Sequence, residues 1–334
     1  MKFAVVGCQH VHIKMFIDEM LELGHQFVGI YDQSEYFLPK QYSQDYKVPL
    51  IQRLDDLLDQ GVGIIGNAAR NDEKIDFIEW GEKHGIHVMT DKPIAVDEAG
   101  LKRLKQVIDR GKIKVGMMLT ERFEPTLYTL KQLIADGEMG ELMDFTFLKP
   151  HKMNRTRRPD WFFENSVNGG LIIDILIHDV DLLGWLTGKK MVSYQGHLIK
   201  SASFEFPDFY DNAQMNILLE DQITATLKSD WLMPDAFDSW GDGRIFVTGS
   251  KGRVEIRSAG DILGQPGPYI TLSTHQQKAR RLDVLKVPNN LSGDFINQIE
   301  GKPYRLSAQE IYECNATVIR MDAAANKLMK SKNG

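Results

Sequence analysis

Residues 169–181, which read GGLIIDILIHDVD, decide how the rest of the chain is interpreted. This stretch opens with two glycines and carries Asp174, His178 and Asp181 at helical spacing. If it forms one helix, these three side chains share a face, and the residues around them are mostly apolar. A helix this hydrophobic should be buried, where a carboxylate and an imidazole need partners. Asp174 and His178 are therefore a candidate acid/base pair that faces a cleft.

The same stretch has a plainer interpretation. His178 would be an ordinary core histidine, satisfied by a hydrogen bond to Asp174. Taken alone, the pattern favours this interpretation at least as much as the catalytic one, so the rest of the chain has to decide.

Length and composition exclude several classes of protein. A chain of 334 residues exceeds one typical core, so two domains are expected. Its 43% hydrophobic and 26% charged residues are typical of a soluble globular protein. The net charge of -6 argues against nucleic-acid binding through phosphate neutralisation. No apolar stretch approaches the roughly 20 residues of a membrane span.

Cysteine usage and the first residues indicate a compartment. Cys8 and Cys314 are too few and too far apart for a disulfide framework, which fits a reducing cytosol. The apolar run at residues 3–6 is too short for a secretory signal. We therefore expect a cytoplasmic protein with no membrane partner.

The first 32 residues indicate a strand, a turn, a helix and a second strand. Apolar residues 3–6 end at Gly7, a helical pattern follows to Gly24, and the run 27–31 ends at Asp32. Such a unit typically binds a dinucleotide, with the pyrophosphate at the helix N-terminus and the ribose hydroxyls on the acid. A carboxylate repels a 2′-phosphate, so NAD(H) is expected to be preferred, with NADP(H) the second choice.

The turn after the first strand departs from the G-x-G-x-x-G fingerprint. Gly7 matches it, but Gln9 and His12 stand where glycines are expected. A generic strand-to-helix turn is the alternative, although the βαβ context and Asp32 favour a cofactor site. The predicted cofactor contacts in this turn are Gly7, Gln9, His10 and Val11.

Strands and helices continue to alternate up to residue 118, which predicts a doubly wound parallel sheet. The expected strands are residues 62–65, 87–90 and 114–118, and the expected helices are residues 54–58, 75–84 and a helix that Asp97 caps and that ends at Gly111. Ligands bind such sheets at the carboxyl ends of the strands. That rule adds further predicted cofactor contacts, which are Asn71, Asp91, Lys92 and Arg122. Lys92 could also reach a substrate hydroxyl, although a surface lysine before a turn proline is the plainer explanation.

From residue 142 the pattern changes to successive strands, which predicts a mostly antiparallel open sheet. The expected strands are residues 142–148, 191–200, 212–219, 224–230, 244–248, 253–257 and 269–273. Residues 294–299 and 307–330 are expected to form closing helices. The predicted domains are therefore a Rossmann domain at 1–120 and an α+β domain at 121–334. Because no helix layer is evident for both faces of this sheet, an uncovered apolar face predicts a homodimer or homotetramer.

A basic loop at residues 149–158 precedes Trp161. The loop could be a solvated charged surface. Alternatively, Trp161 stacks on a sugar ring, and Lys149 and Arg158 bind a hydroxyl-rich or anionic substrate.

Three features of the chain coincide: the N-terminal βαβ unit with Asp32, the Asp91-Lys92-Pro93 triplet, and residues 169–181. Together they resemble the Gfo/Idh/MocA family, the glucose-fructose oxidoreductase and inositol dehydrogenase relatives. That family typically shows E-K-P after a Rossmann strand, then a glycine-rich start to a helix carrying D-x-x-x-H. Lys92, Asp174 and His178 occupy the matching positions, and Asp91 replaces the usual glutamate. The resemblance covers nearly the whole chain.

The resemblance implies an NAD(P)-dependent oxidoreductase that acts on a hydroxyl carbon of a sugar, cyclitol or related polyol, without a metal. His178 would be the general acid/base, Lys92 would stabilise the alkoxide, and Asp174 would orient His178 or the substrate. Two alternatives stay open. One is a non-catalytic sensor that binds NAD(P) to regulate a partner, and the other is an enzyme with tightly held cofactor that reduces a different carbonyl class.

Overall fold

The structure, a computed structural model, describes residues 1–261, 263–264 and 266–331. Its contacts group into two compact units. The first unit contains residues 1–120, 159–169 and 289–319, and the second contains residues 121–158, 170–288 and the described residues from 320 onward. Sequence analysis placed one boundary, between residues 120 and 121. The contacts divide the chain there and again after residues 158, 169, 288 and 319.

Within the described residues, the first unit holds a five-stranded, all-parallel sheet in the order β2-β1-β3-β4-β5. Its strands are β1 (Lys2–Cys8), β2 (Gln26–Tyr31), β3 (Ile64–Ala68), β4 (His87–Thr90) and β5 (Val115–Met117). Its helices are α1 (His12–Glu22), α2 (Phe37–Tyr46), α3 (Asp56–Asp59), α4 (Lys74–His84), α5 (Glu98–Arg110), α7 (Asn165–Asn168), α10 (Leu291–Ile299) and most of α11 (Ala308–Ala324). The predicted Rossmann sheet is confirmed, whereas α2 was not expected.

Local sequence signals explain the helix limits in this unit. The Asp97 side chain accepts a hydrogen bond from the Gly100 N–H at 2.8 Å, so it caps α5 as expected. Gly111 ends the same helix in the left-handed conformation, with φ of 60°. In β1 only Lys2 is exposed and residues 3–8 are buried, which is why this near-continuous apolar run forms a central strand.

The last helices of the chain complete the first unit. Glu19 in α1 accepts hydrogen bonds from the Ser292 N–H and hydroxyl, at 2.9 and 2.6 Å. The buried Asn315 Oδ1 accepts from the Ile94 and Ala95 N–H groups, at 3.0 and 3.3 Å. These bonds satisfy backbone donors in the loop after β4, so residues from both ends of the sequence stabilise one fold.

The second unit is built around a nine-stranded sheet, counted within the described residues, in the order β13-β12-β11-β10-β6-β9-β8-β7-β14. Its strands are β6 (Leu142–Lys152), β7 (Met191–Lys200), β8 (Asn212–Leu219), β9 (Thr224–Met233), β10 (Arg244–Gly249), β11 (Gly252–Arg257), β12 (Tyr269–Thr274), β13 (Arg280–Arg281) and β14 (Asn326–Met329). Its helices are α6 (Pro125–Ala135), α8 (Gly170–Asp174) and α9 (Ile177–Thr187). The β6–β9 and β7–β14 pairs are parallel and the other pairs antiparallel, which confirms the mostly antiparallel prediction.

One face of this sheet is apolar and helix-covered, and the other is mainly polar. Along β8, Met215 and Ile217 are buried, while the alternate residues Gln214 and Asn216 are exposed. Helix α8 packs against β8 and β9, and α6 packs against β11 and β12. The outward face carries Leu218 as an exposed apolar residue among polar ones. The prediction of an uncovered apolar face is therefore wrong, because the outward face is mainly polar. The homo-oligomer stays a prediction.

Two segment assignments from the sequence also need correction. The closing helix expected over residues 307–330 ends at Ala324, and residues 326–329 form β14 beside β7 instead. Pairing to an otherwise open sheet edge outweighs the helical pattern there. Residues 149–152, assigned to the basic loop, are the end of β6. In the described part of the chain, no helix is both long and apolar enough to cross a membrane.

Candidate active site

The turn after β1 has the geometry of a dinucleotide cradle. Gly7 has φ of 61°, and a Cβ added there would lie 2.4 Å from the Ala69 Cα, so only glycine fits. Helix α1 begins at His12 just beyond the turn, and its first N–H groups can receive phosphate oxygens. The sheet order reverses between β1 and β3, which is the ligand-binding point of open α/β sheets.

Asp32 follows β2, next to this turn. Its Oδ2 accepts the Cys8 N–H, and its Oδ1 accepts the Ser34 N–H at 2.7 Å. Two backbone donors thus fix the carboxylate beside the cradle, where it can receive the ribose hydroxyls of a dinucleotide. Asp32 thus follows β2 as predicted, and its contact with the cofactor stays a prediction.

The side chains that replace the fingerprint glycines are engaged elsewhere in the first unit. Gln9 Oε1 accepts the Trp161 indole N–H at 2.8 Å. His12 Nδ1 lies 2.9 Å from Asp91 Oδ1. Val11 is 54% exposed at the start of α1. Trp161, predicted to stack on a substrate ring, therefore has its indole nitrogen on the cofactor turn.

Asp91 is the buried centre of a charged network. Its Oδ2 lies 2.9 Å from His10 Nδ1 and 3.7 Å from Lys74 Nζ. Burial alone would raise the pKa of Asp91, but His10, Lys74 and His12 hold it well below its usual range. Burial lowers the pKa of His10 to about 4 although Asp91 opposes the shift, so its imidazole is neutral at pH 7. A neutral His10 can donate its Nδ1–H to the carboxylate.

His10, His12 and Asp91 also offer three metal-ligand atoms within 4.8 Å of one another, and no other described residues form such a group. The adjacent Lys74 ammonium opposes a bound cation. Two imidazole contacts and the charge of the nearby Lys74 ammonium compensate the carboxylate without an ion, so this geometry does not favour a metal. The absence of a metal stays a prediction.

Lys74 is fully buried in the first turn of α4, and sequence analysis missed it. Its Nζ donates to Asn71 Oδ1 at 2.8 Å and to the Lys92 carbonyl oxygen at 2.9 Å. Asn71 Nδ2 in turn donates to the Asn168 carbonyl oxygen at 2.8 Å. One buried ammonium therefore connects two predicted site residues, Asn71 and Lys92. A lysine at this spacing looks like a surface residue in the sequence, and only its burial identifies it.

Asp174 and His178 are buried in the second unit, as expected of a hydrophobic helix. The single helix predicted over residues 169–181 is wrong, because it divides into α8 and α9 at Ile175 and Leu176. The His178 N–H bonds to the Ile175 carbonyl three residues back, as in a 3₁₀ turn, and Leu176 has ψ of -7°. The backbone at Leu176 stays in the right-handed helical region, so the break does not change the order in which Asp174 and His178 follow each other along the helix axis.

A buried ion cluster lies directly beside His178 in sequence. Lys149 Nζ lies 2.7 Å from Asp179 Oδ1 and donates to Glu121 Oε1. Burial raises the pKa of Asp179 to about 7, with Lys149 opposing the shift and Glu121 adding to it. Burial lowers the pKa of Lys149, but the two carboxylates outweigh it and the net shift is upward. Lys149, predicted to bind substrate, is thus occupied by Asp179 and Glu121.

Arg122 makes a buried ion pair with Asp181, and its predicted contact with the cofactor stays a prediction. Its Nη2 donates to Asp181 Oδ1 at 2.6 Å and its Nε to Asp181 Oδ2 at 2.8 Å. The guanidinium also lies 5.8 Å from the Trp185 ring. This bidentate ion pair connects α9 to the turn before α6, so Arg122 has a structural role.

Arg158 lies within a cluster that we call the aromatic box: Trp231, Trp240 and His151. Its guanidinium carbon is 5.0 Å from the Trp231 ring centre and 5.2 Å from that of Trp240. The His151 ring is 5.5 Å from Trp231 and 5.9 Å from Trp240. Arg158 was a predicted substrate residue, whereas no local pattern indicated that aromatic residues about 80 positions later would lie around it.

The predicted residues therefore divide between the two units. The cradle and the Asp91 network bring together one set, which is Gly7, Gln9, His10, Asp32, Asn71, Asp91, Lys92 and Trp161. The second unit carries the other set, which is Arg122, Lys149, Arg158, Asp174 and His178. Convergence of Lys92 with Asp174 and His178 on one substrate stays a prediction.

Comparison with known families agrees with this arrangement. Residues 1–118 match the model described as "Oxidoreductase family, NAD-binding Rossmann fold", and residues 127–255 match the "GFO/IDH/MocA C-terminal domain". The two matches together take in more than half of the chain.

Individual relatives are more distant. The chain is 33% identical over 122 residues to an inositol 2-dehydrogenase of Corynebacterium glutamicum (strain R), covering 36% of this chain and 33% of that protein. It is 27% identical over 184 residues to an inositol 2-dehydrogenase of Rhizobium meliloti (strain 1021), covering 55% and 53%. The chain thus spans about a third to a half of the length of these curated relatives. A solved structure from Erwinia carotovora atroseptica SCRI1043 has a TM-score of 0.88 at 23% identity, covering 98% and 99%, which shows a shared fold.

Proposed function

Because the chain belongs to the Gfo/Idh/MocA family of oxidoreductases, we propose that it is an NAD(H)-dependent dehydrogenase of a sugar, cyclitol or related polyol. One observation carries the proposal: Asp32 is held by two backbone N–H groups beside a turn that only Gly7 can make. The names of the two inositol 2-dehydrogenase relatives support a cyclitol or polyol substrate.

The residues of the turn fit a dinucleotide despite two missing glycines. The Gln9 and His12 side chains have partners in Trp161 and Asp91, which accounts for their bulk next to the cradle. A carboxylate at Asp32 suits a ribose diol and repels a 2′-phosphate, which supports NAD(H) over NADP(H). The cofactor, when bound, supplies the hydride acceptor or donor.

The protein's own residues would handle the proton and the developing charge. In the oxidation direction His178 removes the hydroxyl proton, and in the reduction direction it returns that proton. The Lys92 ammonium stabilises the alkoxide by charge and hydrogen bonding. Asp174 orients His178 or a substrate hydroxyl. Lys74 supports this arrangement by holding the Lys92 carbonyl and the Asn71 side chain in place.

Turnover with a panel of polyols and their oxidised forms tests the proposal. We expect reduction of NAD⁺ with at least one cyclitol or sugar, and a hundredfold to ten-thousandfold lower rate in His178→Ala, the range roughly expected for general acid–base catalysis. Melting temperature measured on the same sample separates catalysis from a core role. Unchanged turnover per folded molecule in His178→Ala would remove this residue from the mechanism.

The same panel separates the enzyme from its rivals. Tight NAD(H) binding without turnover of any polyol or carbonyl would favour a regulatory sensor. Turnover only with a carbonyl of another class would favour the enzyme with tightly held cofactor.

The proposal also includes a homodimer or homotetramer and a cytoplasmic location. The isolated Cys8 and Cys314 support the location.

A further inference from the structure

We propose that Trp161 is a positioning residue of the cofactor turn: its indole N–H holds the Gln9 side chain clear of the place where the turn receives a pyrophosphate. This inference rests on the proposed function, because it assigns Trp161 to cofactor binding rather than to a substrate ring. The Gln9–Trp161 pair then compensates for a glycine that the turn lacks.

Gln9 stands at a position where a free side chain obstructs a dinucleotide. In the G-x-G-x-x-G fingerprint, the second glycine lets the backbone approach the pyrophosphate closely. Gln9 occupies that position, two residues after Gly7. A flexible amide side chain there can reach the same space in several of its rotamers. Binding of a dinucleotide therefore requires that the Gln9 side chain be held elsewhere.

Bonds at both ends of Gln9 fix its side chain away from solvent. Its Oε1 accepts the Trp161 indole N–H at 2.8 Å, and the residue is only 8% exposed. Its backbone N–H donates to the Ala68 carbonyl oxygen at 2.8 Å, which attaches the turn to the end of β3. Because an indole N–H can only donate, it selects the amide oxygen and hence one orientation of the amide.

Trp161 is itself held in place on the first unit. It lies in the short turn Asp160–Phe163, whose two phenylalanines are buried. Later in the same segment, the Asn168 carbonyl oxygen accepts the Asn71 side-chain N–H at 2.8 Å. The indole therefore donates from a fixed backbone, and Gln9 is ordered before any ligand arrives.

This order has a consequence for affinity. A side chain that is already fixed adds no ordering cost when the dinucleotide binds, whereas a glutamine released from Trp161 has to be ordered at that moment. Ordering one flexible side chain corresponds to about a twofold to tenfold loss of affinity. The two residues lie 152 positions apart, so no local pattern in the sequence indicates that they act together.

Isothermal titration calorimetry with NADH and with ADP-ribose, which contains the pyrophosphate but no nicotinamide, tests the role of Trp161. Trp161→Phe keeps an aromatic ring and removes the indole N–H. We expect it to weaken the binding of both ligands about twofold to tenfold. Gln9→Gly restores the glycine of the fingerprint, so it should bind both ligands at least as tightly as wild type. Adding Trp161→Phe to Gln9→Gly should then have no further effect.

Trp80→Phe is the matched control, because it removes an indole N–H that donates to Asp55 Oδ1 at 3.1 Å elsewhere in the first unit. It should leave both affinities unchanged. Unchanged affinities in Trp161→Phe, a loss confined to NADH, or weaker binding by Gln9→Gly would each overturn the role of Trp161. The second result would place Trp161 at the nicotinamide, and the third would show that the bond only docks the segment around Trp161.

Two outcomes concern the proposed function itself. Failure of wild type to bind either ligand would overturn the proposed function and the role of Trp161 together. Binding with the expected differences among the variants, but without turnover of any polyol, would overturn the proposed function and leave the role of Trp161 standing.

Discussion

Asp179 offers the sharpest test of the electrostatics in α9, the helix that also carries His178. Its carboxylate is fully buried, and burial raises its pKa to about 7 despite the Lys149 ammonium 2.7 Å away. A carboxyl group with a raised folded-state pKa stabilises the fold in its protonated form. That stabilisation is complete below the unfolded pKa and is lost as pH rises through the folded pKa.

The magnitude follows from the two pKa values. The shift from 3.8 to about 7 is roughly three units, and each unit corresponds to about 1.4 kcal/mol. Ionising Asp179 therefore costs the fold about 4 kcal/mol between pH 4 and pH 8, and most of this cost, roughly 3 kcal/mol, falls between pH 5 and pH 8. Asp179→Asn removes this cost and leaves Lys149 paired with Glu121.

Urea unfolding at pH 5 and pH 8 measures the effect. We expect the free energy of unfolding to fall less between these pH values in Asp179→Asn than in wild type, by roughly 3 kcal/mol. Asp235→Asn makes the same change of charge at an exposed position of the second unit and should behave like wild type. An identical pH dependence in Asp179→Asn and wild type would refute the reasoning, because it would mean that Asp179 is ionised in the fold at no cost.

Four further predictions concern the candidate site and the assembly. Asp32→Ala should weaken NAD(H) binding and narrow its advantage over NADP(H), as measured by cofactor titration; equal or tighter NADP(H) binding by wild type contradicts the role of Asp32. Lys92→Ala should lose about 2.7–4 kcal/mol of transition-state stabilisation while cofactor binding is retained, and Asp174→Asn should lose less. A steady-state rate of Lys92→Ala equal to that of wild type would exclude a role of Lys92 in stabilising the alkoxide. Lys74→Met should destabilise the fold by roughly 3–5 kcal/mol, because it leaves Asp91 short of a buried partner; a loss below about 1 kcal/mol by chemical unfolding argues against that network. Light scattering should show a homodimer or homotetramer, and a monomer at micromolar concentration would contradict it.

Local patterns in the sequence were sufficient to predict most of the fold. The alternation of apolar runs and helical periodicity follows directly from backbone geometry, so the parallel sheet and the long antiparallel strands could be identified. Capping by Asp97 and the left-handed Gly111 likewise depend on neighbouring residues only. The Gly7 turn and Asp32 belong to the same class, because their spacing is set within one βαβ unit.

The features that were missed depend on partners distant in the sequence. Strand β14 exists because β7 offers an open edge more than 120 residues earlier, and no local signal reports that edge. The residues next to the buried Lys74 and Lys149 in the sequence are of the same types as those next to surface lysines. Their partners Asp91 and Asp179 lie 17 and 30 residues away, so only the folded structure shows the ion clusters. Trp240 was missed for the same reason.

The discontinuous first unit has a consequence for the order of folding during synthesis. Its parallel sheet is made from residues 1–120, yet Ser292 and Asn315, which bond to Glu19 and the loop after β4, are synthesised much later. At about 5–20 residues per second, on the order of 10–40 s separate residue 120 from residue 319. Most of the second unit leaves the ribosome within that interval. The N-terminal unit is therefore expected to be completed only after most of the second unit has been synthesised, which departs from the usual N-to-C order in which domains mature.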